Sequence, residues 1–230
     1  DQLFPLYQAI NQEVDALNDF LNTPSGLIRI NAPAVAAEAV LYPKLKPILN
    51  QYPKIRLEIV VDNRWVDIVK EGFDMGVRLG NKVAKEMIAV PISAPLKMVL
   101  VASPDYLAQH GSPKNIDDLQ QHRLIGIKLS AEHGTEMQWE FKYKKELITF
   151  TPKSQFSINN YLRLQAVSDG LGIAWIAHMS VADALNSGHL VELLPEYTMT
   201  YEPLYLYYLS RHGHSNVFKL IVDALRVEVV

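Results

Sequence analysis

The stretch GLIRINAPAVAAEAVLYPKLKPILNQYPKIRLEIVVDNR, residues 26–64, decides the fold. With the residues that follow it reads as strand, helix, strand, helix and strand, at 27–31, 34–53, 55–62, 64–72 and 73–79. Strands that alternate with helices in this way predict a largely parallel sheet covered by helices. Pro43 and Pro47 lie within the first helix, which we expect to be irregular or broken because proline lacks an N–H donor.

The chain beyond this stretch continues the alternation. A nearly continuous strand-like segment, 87–104, is interrupted at Pro91 and Pro95, and its length suggests a path that leaves one domain and enters another. The later elements are strands at 123–129, 154–158, 172–177, 190–194 and 203–211, helices at 160–170, 179–188 and 215–227, and a hairpin at 139–152 that turns near Lys144 and Lys145. The predicted fold class is α/β, with two α/β lobes joined by crossing strands.

Composition excludes several classes of function. The net charge of −3 gives no general attraction to nucleic acid, and the apolar fraction of 49% is typical of soluble globular proteins. The absence of cysteine excludes disulfides, thiolate metal sites and a cysteine nucleophile. No apolar run reaches the roughly 18–20 residues of a membrane span. Since the chain begins at Asp1 without a signal segment, we expect an excised piece of a longer cytoplasmic protein or a mature chain whose leader was removed.

The first 22 residues have a heptad pattern. Apolar side chains recur at alternating spacings of four and three, at Leu3, Tyr7, Ile10, Val14, Leu17 and Leu21. Such a narrow seam is typical of a helix that pairs with another helix. The alternative is a terminal helix that lies on its own domain.

The segment GFDMGVRLG, residues 72–80, places charges at both ends of an apolar strand. Ligands of open α/β sheets bind beyond the carboxyl ends of the strands, which is where Arg78 lies. Its guanidinium could bind an anionic ligand, or it could pair within its lobe with Asp62 or Asp67. Asp74, at the other end of the strand, is assigned to structure.

Further candidates lie in turns at the same ends of other strands. The predicted ligand-binding residues are Pro33, Ala34, Val35, Asn63, Arg64, Trp65, Arg78, Lys128, Ser130, Asn159, Asn160 and His178. Helix capping is the alternative role for Asn63, for one residue of the Asn159–Asn160 pair and for His178. No catalytic constellation is visible, and we expect neither a cofactor nor a metal, since His212 and His214 have no third ligand nearby.

The sequence resembles the effector-binding domain of the LysR-type transcriptional regulators. The matching segments are 26–64, 66–80, 92–113, 117–127, 167–177 and 186–197, followed by the terminal strand and helix. The resemblance implies a fold like that of the type II periplasmic binding proteins, with a small-molecule effector in a cleft between two lobes. Lobe I would comprise 26–95 and 205–230, and lobe II 96–204.

The resemblance also implies partners. In that family a winged helix-turn-helix domain comes first and a long dimerising linker helix follows it. Residues 1–25 would be the C-terminal part of the linker, and DNA would be bound through an N-terminal domain absent from this chain. The implied protein is a cytoplasmic bacterial homodimer or homotetramer, with no membrane partner.

Two positions depart from the family pattern. Many members have a serine or threonine in the first turn to hold a carboxylate, whereas APAVA, residues 32–36, has no hydroxyl. The amino end of the helix can still donate N–H groups to an anion. Where proline often follows the strand ending at Ile176, this chain has Ala177 and His178. The sequence therefore does not identify the effector, although a small, anionic one is expected.

Two other functions share this fold. A periplasmic solute-binding protein of a transport system would be a monomer with a cleaved signal peptide, whereas the heptad pattern favours self-association. An enzyme would need a nucleophile or an acid–base pair in the cleft, and none is visible in the sequence.

Overall fold

The computed structural model describes residue 10 and residues 24–64, 66–80, 86–128, 136–158, 162–210 and 215–228. The chain forms two compact units. Unit 1 comprises Asp1–Ala94 and Pro203–Val230, and unit 2 comprises Pro95–Glu202. The predictions made for the heptad pattern, for Trp65, Ser130, Asn159 and Asn160, and for the histidines at 212 and 214 lie outside the described residues, apart from position 10.

Eleven strands occur in the described part of the chain: β1 (Gly26–Ala32), β2 (Ile55–Val61), β3 (Met75–Leu79), β4 (Met87–Ala102), β5 (Leu124–Gly126), β6 (Trp139–Tyr143), β7 (Glu146–Phe150), β8 (Phe156–Ser157), β9 (Ile173–Ala177), β10 (Val191–Leu193) and β11 (Met199–Leu209). The helices are α1 (34–51), α2 (Pro104–His110), α3 (Leu162–Ser168), α4 (His178–Asn186) and α5 (Asn216–Leu225), with short 3-10 helices at Asp117–Gln121 and Pro195–Tyr197. Among the described helices, none has the length and hydropathy that a bilayer span requires.

The sheet of unit 1 is mixed and has the order β2-β1-β3-β11-β4. β1 pairs in parallel with β2 and β3, as the sequence predicted, and β11 is antiparallel to β3. The amphipathic α5 buries Val217, Phe218, Ile221, Val222 and Leu225. Because β1, β2 and β3 are parallel, their carboxyl ends lie at one edge of the sheet.

The first helix is irregular, as predicted. α1 consists of an α-helical turn at Ala34–Ala36, a π-helical turn at Ala37–Leu41 and an α-helix at Tyr42–Gln51. The Tyr42 N–H donates to the carbonyl of Ala37, five residues earlier. Pro43 has no N–H for the carbonyl four residues before it, so the usual hydrogen-bond ladder cannot continue there.

The helix predicted at 64–72 is wrong, because the structure has only one capped turn there. The Asp67 carboxylate accepts from the N–H groups of Val69 and Lys70, at 3.1 and 3.2 Å. At the other end the Phe73 N–H donates to the Ile68 carbonyl and Gly72 has φ 69°. This is a Schellman-type ending, and with a cap on each side the turn cannot extend into a helix.

β4 carries the chain from unit 1 to unit 2. It is one strand of 16 residues, so the interruptions predicted at Pro91 and Pro95 are wrong. The division between the units falls after Ala94, inside this strand, and the return passage falls inside β11. Both passages are therefore regular strand rather than flexible linker.

Unit 2 has a sheet of order β4-β9-β5-β8, and β10 pairs with β4. β9 is antiparallel to β4 and parallel to β5, while β5 is parallel to β8. Its core contains Val99, Val101, Ile125, Val167, Ala174, Ile176, Val181 and Leu190. β6 and β7 form the predicted hairpin, with Lys144 at φ 56° in the turn.

Candidate functional site

Arg78 joins the carboxyl ends of the three parallel strands in unit 1. It is the penultimate residue of β3 and only 8% exposed. Nη2 donates to Asn31 Oδ1 at the end of β1 and to the Arg64 carbonyl in the turn after β2, both at 2.6 Å. We call the set Asn31, Ala34, Asp62, Asn63, Arg64 and Arg78 the Arg78 rim. The sequence predicted Arg78 at this edge but missed Asn31, whose signal was a polar residue near the carboxyl end of a strand.

The charged residues of the rim are Arg64, Asp62 and Arg78, and the Asp62 carboxylate lies near both arginines. Arg64 binds the Asp62 carboxylate through Nε and Nη2, and this hydrogen bonding lowers the pKa of Asp62. Burial lowers the pKa of Arg78, while the nearby Tyr207 and Asp62 act in the opposite direction. Arginine keeps its proton despite such effects, so Arg78 is a fixed positive charge inside unit 1. The predicted alternative, in which Arg78 pairs with Asp62 or Asp67, stays a prediction.

Tyr207 lies over Gly76 behind the rim. The two residues are register partners in β11 and β3, and a Cβ atom on Gly76 would lie 2.3 Å from Tyr207 Cζ. Glycine therefore makes room for the ring, as close approach in a strand requires. Burial raises the pKa of the Tyr207 phenol. Nothing in the sequence of β3 identifies the ring that fills this space.

The amino end of α1 contacts the turn after β2. The Ala34 N–H donates to Asn63 Oδ1 at 3.3 Å, so Asn63 caps the helix of the neighbouring turn rather than one of its own. Pro33 is the N-cap residue and has no side-chain cap, and Val35 follows Ala34 in the first turn. The predicted residues Pro33, Ala34, Val35, Asn63, Arg64 and Arg78 therefore lie on one edge of unit 1.

Asp74 has the structural role that the sequence assigned to it. Its Oδ2 accepts from the Arg29 N–H at 2.8 Å, and its own N–H donates to the Arg29 carbonyl at 2.9 Å. These bonds join the start of β3 to β1, away from the rim.

In unit 2 the structure describes two of the predicted site residues. His178 is the first residue of α4, whose N-cap is Ala177, and no side chain caps that end, so the capping alternative for His178 is wrong. Lys128 is exposed, lies two residues after β5, and its backbone forms a bridge with Glu136. Both remain candidates at strand ends of unit 2.

Comparison with known proteins identifies the family. A family model described as the LysR substrate binding domain matches residues 21–229. The chain belongs to this family. This LysR-type domain is 31% identical over 225 residues to the HTH-type transcriptional regulator PgrR of Escherichia coli K12, covering 97% of the chain and 75% of PgrR. It is 32% identical to DmlR of the same organism, covering 96% of the chain and 71% of DmlR.

Solved structures agree with the assignment. The full-length virulence activator AphB of Vibrio cholerae has a TM-score of 0.72 and 25% identity, over 97% of this chain and 75% of AphB. The regulatory domain of CrgA from Neisseria meningitidis has a TM-score of 0.73 at 22% identity, over 88% of this chain and 98% of that domain, and shows the same fold. The type II periplasmic-binding-protein-like fold and the effector-binding domain of a LysR-type regulator are thereby confirmed. The relatives are transcriptional regulators, so a transport protein is not favoured.

Proposed function

We propose that this LysR-type domain senses a small anionic effector that contacts the Arg78 rim of unit 1. The observation that carries the proposal is the buried Arg78, which holds the ends of β1 and β3 and the turn after β2 through hydrogen bonds of 2.6 Å. Carboxyl ends of strands are where open α/β sheets bind ligands. A positive charge held there in a region of low dielectric attracts an anion more strongly than a charge in water does.

Two other groups of the rim support an anionic ligand. The Arg64 side chain is 70% exposed, and its ion pair with Asp62 lies at the surface, where such pairs contribute little free energy. An anionic ligand can therefore compete with the Asp62 carboxylate for the Arg64 guanidinium at little cost in free energy. α1 begins at Ala34, and the partial positive charge at its amino end also attracts an anion.

The effector would act through the rest of the regulator. We propose a cytoplasmic homodimer or homotetramer that assembles through residues 1–25 and binds DNA through an N-terminal winged helix-turn-helix domain. Binding must then favour one arrangement of the subunits over another, because a ligand with equal affinity for both shifts nothing. The absence of a catalytic constellation from the sequence supports sensing rather than catalysis.

The exposed Arg64 allows a test with little risk to folding. A thermal-shift screen of small carboxylates, sulfonates and phosphates, together with neutral and cationic compounds of similar size, would select ligands. Calorimetry would then give their affinity for the wild-type chain and for Arg64→Gln. Losing a partly solvated charge-assisted hydrogen bond should weaken binding about 3- to 30-fold. Arg56→Gln is the matched control, since it removes the same charge from the opposite end of β2.

Two results would contradict the proposal. One is a screen in which every ligand is neutral or purely cationic. The other is equal affinity in Arg64→Gln, in Arg56→Gln and in Arg78→Lys, which keeps the charge of the rim but loses the planar fork.

A further inference from the structure

A carboxylate lies at the carboxyl ends of β5 and β8 in unit 2. Gly126 and Ser157 are the last residues of these parallel strands and are register partners. Glu136 lies beside this end of the sheet, because its backbone forms an antiparallel bridge with Lys128. The Met137 N–H also donates to the Ile127 carbonyl at 2.8 Å. The Glu136 side chain is thereby placed on the edge of the sheet where ligands of this fold class bind.

The donors to Glu136 are uncharged. The Ser157 hydroxyl donates to Oε1, and the Ser154 N–H donates to Oε2 at 3.4 Å. Within the described ranges no ion pair of Glu136 with a lysine, arginine or histidine is found. Two neutral donors hold the carboxylate in place and leave its negative charge available to a ligand, because a carboxylate has about four acceptor positions.

Gly126, which has no side chain, leaves space for the side chains of Ser154 and Glu136. A Cβ atom on Gly126 would lie 2.3 Å from Ser154 Oγ and 3.1 Å from Glu136 Oε2. The absence of a side chain there thus allows a hydroxyl and a carboxylate to stand together over the strand end. Any larger residue would separate them.

The Ser154 hydroxyl is buried and has no hydrogen-bond partner among the described residues. A buried hydroxyl without a partner costs free energy, and such groups in native proteins require an explanation. Its two lone pairs and those of Glu136 offer acceptors at one place. A ligand group that carries several N–H donors and a positive charge would satisfy both the Ser154 hydroxyl and the Glu136 carboxylate.

We propose that Glu136 and Ser154 bind an ammonium group of the effector. An ammonium has three donors, which matches the carboxylate oxygens and the Ser154 hydroxyl. The effector would therefore carry an amine beside the acid group of the proposed function, as an amino acid or a short peptide does. The inference deepens the proposed function and rests on it for the anionic end.

Matched pairs of compounds test the inference. The probes are L-alanine, L-glutamate, L-lysine, γ-aminobutyrate and alanylalanine, each with the analogue in which hydrogen replaces the α- or terminal amine. Thermal shift and calorimetry on the 230-residue chain measure binding. We expect ligands only among the amine-bearing members. Glu136→Gln should weaken them at least tenfold, the effect of losing a charged hydrogen bond, while the hairpin variant Glu146→Gln should bind as the wild type does.

The outcomes separate the inference from the proposed function. If the amine-free analogues bind as well as their partners and Glu136→Gln changes nothing, the ammonium site is wrong while the anionic effector stands. If Arg64→Gln has no effect but Glu136→Gln does, the ammonium site stands and the anionic contact fails. If no probe binds, the amino-acid class is rejected. Should Glu136→Gln unfold, Ser154→Ala keeps the carboxylate, and a loss of amine selectivity in it is the required result.

Discussion

Replacing Gly76 by alanine should destabilise unit 1 through one steric conflict. The new Cβ atom would lie 2.3 Å from Tyr207 Cζ and 2.5 Å from its hydroxyl oxygen. An ordinary contact begins at about 3.4 Å, so the ring must move by about 1 Å. Tyr207 is only 2% exposed, so its ring is surrounded by other protein atoms. Because Gly76 does not have a positive φ, the backbone accepts alanine and the conflict is the whole effect.

Overpacking of this kind costs about 1–3 kcal/mol, a large share of the roughly 5–15 kcal/mol that stabilises a typical domain. Urea unfolding followed by circular dichroism would measure the loss for Gly76→Ala. Hydrogen exchange should assign it to peptides of β3 and β11, the two strands that contain the pair. The displaced ring should also disturb the neighbouring Arg78, and so weaken any ligand of the rim.

A double-mutant cycle with Tyr207→Leu isolates the contact. Leucine removes the ring, so Gly76→Ala should cost less than about 0.5 kcal/mol in that background. An equal cost of Gly76→Ala with and without the ring would refute the steric argument. Exchange changes confined to unit 2 would refute it as well.

Two further predictions concern acid stability and assembly. The Tyr106 hydroxyl accepts from the Arg123 N–H and lies 3.2 Å from His122 Nδ1. Burial, followed by the nearby His110, lowers the pKa of His122. The unfolded chain therefore binds more protons than the folded chain once the pH falls below about 6.5. The melting temperature should fall as the pH drops through that value. In His122→Gln this fall should be smaller. Val14→Asp, in the predicted heptad seam, should reduce the mass measured by light scattering from that of an oligomer to that of a monomer.

The acid-stability prediction and the assembly prediction each have a result that would contradict them. A melting temperature with the same acid dependence in the wild type and in His122→Gln would exclude His122 as the responsive group. A wild-type chain that is a strict monomer at high concentration would contradict assembly through residues 1–25. A stable oligomer in Val14→Asp would do the same.

Periodicity and proline positions were enough to predict most of the fold. The parallel pairing of β1 with β2 and β3 followed from strands that alternate with helices, and the irregularity of α1 followed from its prolines. The helix predicted at 64–72 failed for a local reason. Asp67 and Gly72 cap a single turn at both ends, and side-chain hydrogen bonds of this kind compete with helix formation.

The site was only partly predictable, because its contacts join distant positions. Arg78 could be placed at a strand end, but its bond to Asn31 spans 47 residues of sequence, and the Tyr207 ring over Gly76 comes from the last strand. Helix capping is the alternative role that the sequence predicts for Asn63, yet the helix it caps starts 29 residues earlier. Glu136 was missed because it lies in an irregular segment without periodicity, where no pattern distinguishes it from a solvated acid.

The passages of the chain through β4 and β11 have a consequence for biosynthesis. Unit 2 is continuous in sequence, so all of it has been synthesised by Glu202, whereas unit 1 still lacks β11 and α5 at that moment. β11 lies between β3 and β4 in the sheet of unit 1. Domains generally fold as units during translation at about 5–20 residues per second. We therefore expect the inserted unit to complete its fold on the ribosome before unit 1, whose sheet is complete only after β11 has emerged.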